Sequence, residues 1–233
     1  MRRVAVLALL GALAAGCGGA SSSGGATVWI TRDRGARVLH VTRVPAGLTA
    51  MQGLSRVAKV ESRYGGRYVQ GVDGLKERGR HAWFYYVNGY LADRSAAEYV
   101  LHKGDLEWWD YRSWGDPAQD PVVVGAFPEP FLHGFGGKRR PAAILYQGRR
   151  LRRGALALAR VLHARFVGPI QARRPSRDNL LLLVPRGRGS VEFHQVGQAT
   201  PPRPGGPVSF TYSGDPFELA RHPRMFRFRY SVR

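Results

Sequence analysis

The chain has 233 residues, 36 basic against 16 acidic, and a formal charge of +20. A single cysteine excludes a disulfide within the chain. The charge is lopsided, with 16 basic and 11 acidic residues up to Pro121 and 20 and 5 after it. Such a surface is drawn to anionic partners, phospholipid head groups or envelope polymers, or it is simply a solvated basic face. No nucleic-acid module or stacking motif lies in the basic half, so nucleic acid is not an expected partner.

At the N-terminus, Arg2 and Arg3 precede an apolar run over residues 4–14, which is too short to span a bilayer. Residues 1–16 therefore read as a signal peptide. "LAAGC", ending at Cys17, resembles a bacterial lipobox, with Ala14 departing from the larger aliphatic residue usual there. That resemblance implies acylation of Cys17 and an extracytoplasmic protein anchored to a bacterial membrane by its lipid. The alternative is ordinary cleavage nearby, leaving a free thiol. "GGASSSGGA" follows, so residues 17–26 form a lipidated cysteine and a tether reaching on the order of 15–18 Å.

The 207 residues beyond the tether fit two domains, with the composition shift at "WGDPAQDP". We place one domain at residues 27–116 and a second, basic one at 122–233. In the first, residues 27–30 and 37–41 read as strands joined by a turn at "RDRG". Thr49 and Gln52 form a capping box ahead of a helix carrying Met51, Leu54 and Ala58 on one face. "RYVQGV" is a further strand. Trp83 to Val87 is another, and Asn88-Gly89 supplies the two positive-φ positions of a type I′ hairpin turn. Residues 98–101 read as a short strand. Residues 106–111 read as a longer one, with Trp108 and Trp109 on opposite faces. The expected fold class is α+β: a β-grasp-like mixed sheet with one helix, then a second mixed α/β domain.

"WFYYVNGYLA" followed by "AAEYVLHKGDLEWW" resembles the transcobalamin-like C-terminal domain family, over about residues 27–114. The resemblance implies capture of a corrinoid such as cobalamin, or of a similar bulky cofactor, for a vitamin transporter or a second binding protein. The helical barrel of the animal carriers has no counterpart in this chain. Trp83, Tyr85 and Val87 share one row of the strand, which we assign to the core. Tyr86, Asn88, Tyr90, Trp109, Tyr111 and Trp114 are then the candidate ligand-binding residues, since aromatic rings with polar tips suit a broad apolar face rimmed with amides. The competing assignment packs the same rings into a small sheet.

In the second half, "VVVGAFPEPF" reads as a strand and a proline-rich turn, and "AAILY" as a strand. Leu151, Ala155, Leu158, Leu162 and Phe166 share a helical face, with Arg149, Arg153 and Arg160 near the opposite one. "NLLLLVP" reads as a strand buried on both faces, and "SVEFHQV", "VSFTYSG" and "MFRFRYSV" as further strands, the last alternating Phe226, Phe228 and Tyr230 with Arg227 and Arg229. The seven histidines show no zinc-ligand spacing, and no nucleophile elbow or complete phosphate loop is present. The expectation is a binding protein with no intrinsic cofactor or metal, not an enzyme. Its alternative is a structural lipoprotein whose aromatic hairpin docks a protein or envelope partner.

Overall fold

Alternating apolar residues and a parallel central pair build the first sheet. It is made from β1 (Gly25–Arg32), β2 (Arg37–Pro45), β6 (His81–Val87), β7 (Tyr90–Leu91) and β8 (Leu106–Ser113), in the order β2-β1-β8-β6-β7. β1 runs parallel to β8 and antiparallel to β2, while β6 is antiparallel to both β8 and β7. The structure, a computed structural model, describes residues 24–114, 120–173, 177–186, 192–195 and 203–232.

One face of this sheet carries Val28, Ile30, Trp83, Val87 and Trp109, packed beneath α1 (Ala50–Ser55) and a three-stranded sheet of β3 (Val60–Arg63), β4 (Tyr68–Val72) and β5 (Leu75–Lys76). The Thr49–Gln52 capping box forms on α1. The helix is shorter than its periodicity suggests, because the chain turns into β3 after Ser55. Gly53 faces β8 so closely that a Cβ there would lie 2.7 Å from Glu107 Oε2. The other face carries Trp29, Tyr86, Leu106 and Trp108, against Val123 and Ala126 and the distant ring pair Phe228 and Tyr230. Both faces are therefore buried, which is unusual for a mainly antiparallel sheet of this size.

The second half forms a five-stranded sheet of β9 (Ala142–Tyr146), β10 (Ala164–Pro169), β11 (Asn179–Val184), β12 (Glu192–Gln195) and β13 (Ser209–Ser213), in the order β10-β9-β11-β13-β12. All pairs are parallel except β12 with β13. β11 is largely buried, as its unbroken apolar run requires. α3 (Arg152–Leu162) crosses from β9 to β10 and packs on α4 (Pro216–Arg221). The whole is α+β.

Several local expectations fail for physical reasons. Residues 98–101 give one bridge, Val100 to Thr49, not a strand. "VVVGAFPEPF" forms a 3-10 turn (Val124–Ala126) and α2 (Glu129–Leu132) in place of a strand. Phe166 lies on β10, because His163 adopts the left-handed conformation (φ 49) and ends α3. Residues 223–228 are a run of turns, with Phe228 at φ 66, although the Phe/Arg alternation of residues 226–230 fits a strand. Phe226 accordingly packs in the main core, and Phe228 and Tyr230 on the first sheet. The expected boundary at residues 114–121 falls partly outside the described residues, and one hydrophobic cluster runs through both halves.

Candidate functional site: an aromatic cleft beside Tyr85

The hairpin turn forms as its residues require, with Asn88 at φ 49 and Gly89 at φ 86. Its side chains, however, face protein. Asn88 Nδ2 donates to Asp105 Oδ1 (2.7 Å) and to the Gly134 carbonyl (3.0 Å), and Asn88 Oδ1 accepts from the Leu106 N–H (2.7 Å). Tyr90 is buried, donating to the Gly206 carbonyl (3.0 Å) with Phe135 edge-on to its ring. Burial pushes its phenol well above the ordinary range.

The six candidate residues are not gathered in one place. Tyr86 is buried on the face covered by Tyr230, and its hydroxyl accepts from Arg112 Nη2 (3.2 Å). Trp109 and Tyr111 lie on the opposite face, both buried. Asn88 and Tyr90 are locked at the tip. Trp114 alone is exposed, at 57%, with Arg80 over its ring. Cys17, the candidate lipidation site, lies outside the described residues.

The concavity lies where the core row was expected. A cleft of 480 Å³ opens beside Trp83, Tyr85 and Trp109. Tyr85 and Trp109 come from adjacent strands and stack with centroids 4.8 Å apart and planes at 19°. Trp83 is anchored by its indole N–H to the Leu75 carbonyl (2.9 Å). One wall is residues 67–69, the other the loop over residues 91–96, and Ser95 Oγ joins them by donating to the Arg67 carbonyl (2.8 Å). Tyr85 Oη donates to the Arg94 carbonyl, and burial raises its pKa far above that of a free phenol. The rim is polar, with Arg67 paired to Glu98 and Arg94 beside Asp93 (3.4 Å). An aromatic floor with a few charged groups at the edge is the usual make-up of a small-molecule pocket.

Behind the floor sits Glu107. Its Oε1 accepts from the Trp109 indole (2.5 Å), and its Oε2 has no partner among the described residues. Burial drives its pKa well above the usual carboxylate range, against the pull of the Trp109 hydrogen bond. Glu107 therefore tends towards its neutral, protonated form while holding one wall of the floor.

Sequence reasoning missed Arg67, Trp83, Tyr85, Asp93, Arg94 and Ser95 as site residues. Trp83 and Tyr85 share a row with Val87, and that row divides along its length: Val87 is sealed in the core while Tyr85 meets the cleft. No periodic signal marks such a division. Among the described residues, no group of three or more His, Cys, Asp or Glu side chains could hold a metal ion, and no helix is long and apolar enough to cross a membrane.

Residues 47–113 match the model of a family described as a domain of unknown function (DUF4430). Every cleft residue, from Arg67 to Trp109, lies within that match. No curated protein matches the chain. Among solved structures, the chain is similar to the crystal structure of "a putative metal binding protein" from Ruminococcus gnavus ATCC 29149, at 17% identity and a TM-score of 0.32. That likeness covers 38% of this chain and 96% of the other.

Proposed function

We propose that this chain is an exported, lipid-anchored binding protein whose cleft beside Tyr85 captures a bulky ring-bearing cofactor, a corrinoid such as cobalamin, and passes it to a transporter. The observation that carries the reading is the stacked Tyr85–Trp109 floor of a 480 Å³ cleft with charged and carbonyl groups at its rim. Stacked aromatic rings offer a broad apolar contact at low entropic cost, and rim groups suit the amides that edge a corrin. The corrinoid itself is suggested by the transcobalamin-like pattern of residues 83–92 and 96–109. A cleft of this size covers part of such a ligand, consistent with a second chain completing the enclosure. The lipobox-like segment ending at Cys17 supports placement outside the cytoplasm, at a membrane.

The test is titration with cobalamin and with cobinamide, read by calorimetry and by tryptophan fluorescence. Tyr85→Ala should weaken binding at least about tenfold, roughly 1.4 kcal/mol. Tyr86→Ala, on the opposite face, should lower stability and leave the affinity of the folded protein unchanged. Silence with both corrinoids would remove them as ligands, and binding indifferent to Tyr85→Ala would remove the cleft. A protein-docking role is favoured by a different feature: outer strand β2 leaves Val38, Leu39 and Val41 between 43% and 49% exposed.

A further inference from the structure

A second cavity, of 320 Å³, lies on the first sheet's other face and is lined by different residues. Its floor is Trp29 and Leu106, and its charged walls are Arg43, Glu129, His133, Arg224 and Arg227. Glu129 is buried and fully committed. Its Oε1 accepts from Arg224 Nε (3.0 Å) and Nη2 (2.5 Å), and its Oε2 pairs with His133 Nδ1 (2.7 Å). One carboxylate thus fixes an arginine and a histidine in the cavity wall. Arg43 and Arg227 have no carboxylate partner among the described residues, so even with His133 neutral the cationic groups outnumber the anionic one by three to one. An adjoining cavity of 420 Å³ shares Arg224 and Arg227.

The cavity also marks where the chain enters the fold. Gly25 forms part of its lining, with the Arg43 guanidinium 3.6 Å from where a Cβ on Gly25 would stand. Lys103 lies against Gly24. Cys17 lies eight positions before Gly25 in the sequence.

We propose that this cavity binds a phosphate group, and that its source is the head group of an anionic phospholipid beside the anchor. A buried carboxylate holds the His133 ring and the Arg224 guanidinium in place in advance, so these side chains need little reordering when a phosphate meets their remaining nitrogens, and Arg43 and Arg227 supply the excess charge. One acyl chain gives only marginal membrane binding, and a basic contact is the usual second element. The phosphate site does not depend on the corrinoid reading, while the choice of a lipid source rests on Cys17 being the anchor.

The experiment uses the exported chain without its acyl group, residues 18–233, and co-sedimentation with vesicles. Partition onto phosphatidylcholine vesicles containing phosphatidylglycerol, but not onto phosphatidylcholine alone, is expected. Arg43→Ala, at an exposed edge position, should lower that partition about fivefold, and adding Arg227→Ala about fivefold again. Arg152→Ala with Arg153→Ala, two exposed positions of α3, should change it little. Thermal melts establish that each variant is folded. Glycerol 3-phosphate is titrated in parallel: saturable binding lost in Arg43→Ala with no vesicle partition would support the phosphate site and overturn the lipid source. Vesicle partition unchanged in the Arg43/Arg227 double variant, or partition that depends on α3, would overturn the site. So would failure to bind either probe. Cell fractionation of Cys17→Ala tests the anchor separately, so its failure and that of the cavity are distinguishable.

Discussion

Glu107 shows how a single buried residue couples the fold to pH. It is fully buried, its carboxyl pKa is raised mainly by that burial, and its Oε2 is unpartnered among the described residues. The unfolded chain releases this proton near the ordinary glutamate value, about 4.3, whereas the folded chain keeps it to higher pH. Its contribution to stability is thus fully present below about pH 4.3 and declines as pH rises through the folded pKa. Asp110 is shifted in the same direction by burial, opposed by hydrogen bonds from Thr31, Tyr230 and the Gly35 N–H. Subtracting two stability curves isolates Glu107. Glu107→Gln should match the wild type in acid and become progressively more stable than it as pH rises, by at most about 1.4 kcal/mol per pH unit for one proton. Chemical denaturation at a series of pH values checks this, and parallel curves would remove the buried, protonated carboxyl from the account.

Among the elements, the hairpin of β6 and β7 was legible because Asn88-Gly89 needs two positive φ angles, a demand few sequences meet. What the tip touches was not legible. A Cβ on Gly89 would stand 2.9 Å from the Ala126 Cβ and 3.1 Å from the Val123 carbonyl, both in the segment after β8. Gly89→Ala should therefore cost about 2–4 kcal/mol, more than backbone strain alone, as read by the shift of the thermal or denaturant midpoint. A loss near 1 kcal/mol would mean that the tip has room to move. The strands of residues 27–30, 106–111 and 179–184 were readable from apolar content. The assignment of faces was not, because alternation separates faces without saying what covers each. In β8, Trp108 and Trp109 do point apart, and both are buried. Residues 225–230 mimic a strand by alternation, yet Phe228 turns left-handed so that its ring reaches Trp29, 4.5 Å between centroids. The basic cavity was invisible in sequence, because Arg43, Glu129, His133 and Arg224 are brought together only by the tertiary fold.

At the level of the whole molecule, the two halves are joined through buried polar groups as well as rings. Tyr230 Oη donates to Asp110 Oδ2 (2.8 Å), a carboxylate that also accepts from Thr31 Oγ1 (2.6 Å) and the Gly35 N–H (3.1 Å). Asn88 Nδ2 donates to the Gly134 carbonyl (3.0 Å), and Tyr90 Oη donates to the Gly206 carbonyl (3.0 Å). All five tryptophans precede residue 115, so their fluorescence reports on the first half alone. Tyr230→Phe should nevertheless lower the tryptophan-reported unfolding midpoint, by about 1–2 kcal/mol, and far-ultraviolet dichroism should report the same transition. Two separated transitions, with the tryptophan one unmoved, would show that the halves unfold independently.

The cover supplied by Phe228 and Tyr230 also constrains timing. The Tyr230–Asp110 bond spans 120 positions and the Tyr90–Gly206 bond 116, and such long-range closures place a chain among the slow folders. A chain synthesised from its N-terminus delivers every strand of the first sheet well before the residues that cap it. Throughout that interval Trp29, Tyr86 and Trp108 stand open to any passing apolar surface, and this is the window in which the nascent protein most needs an escort.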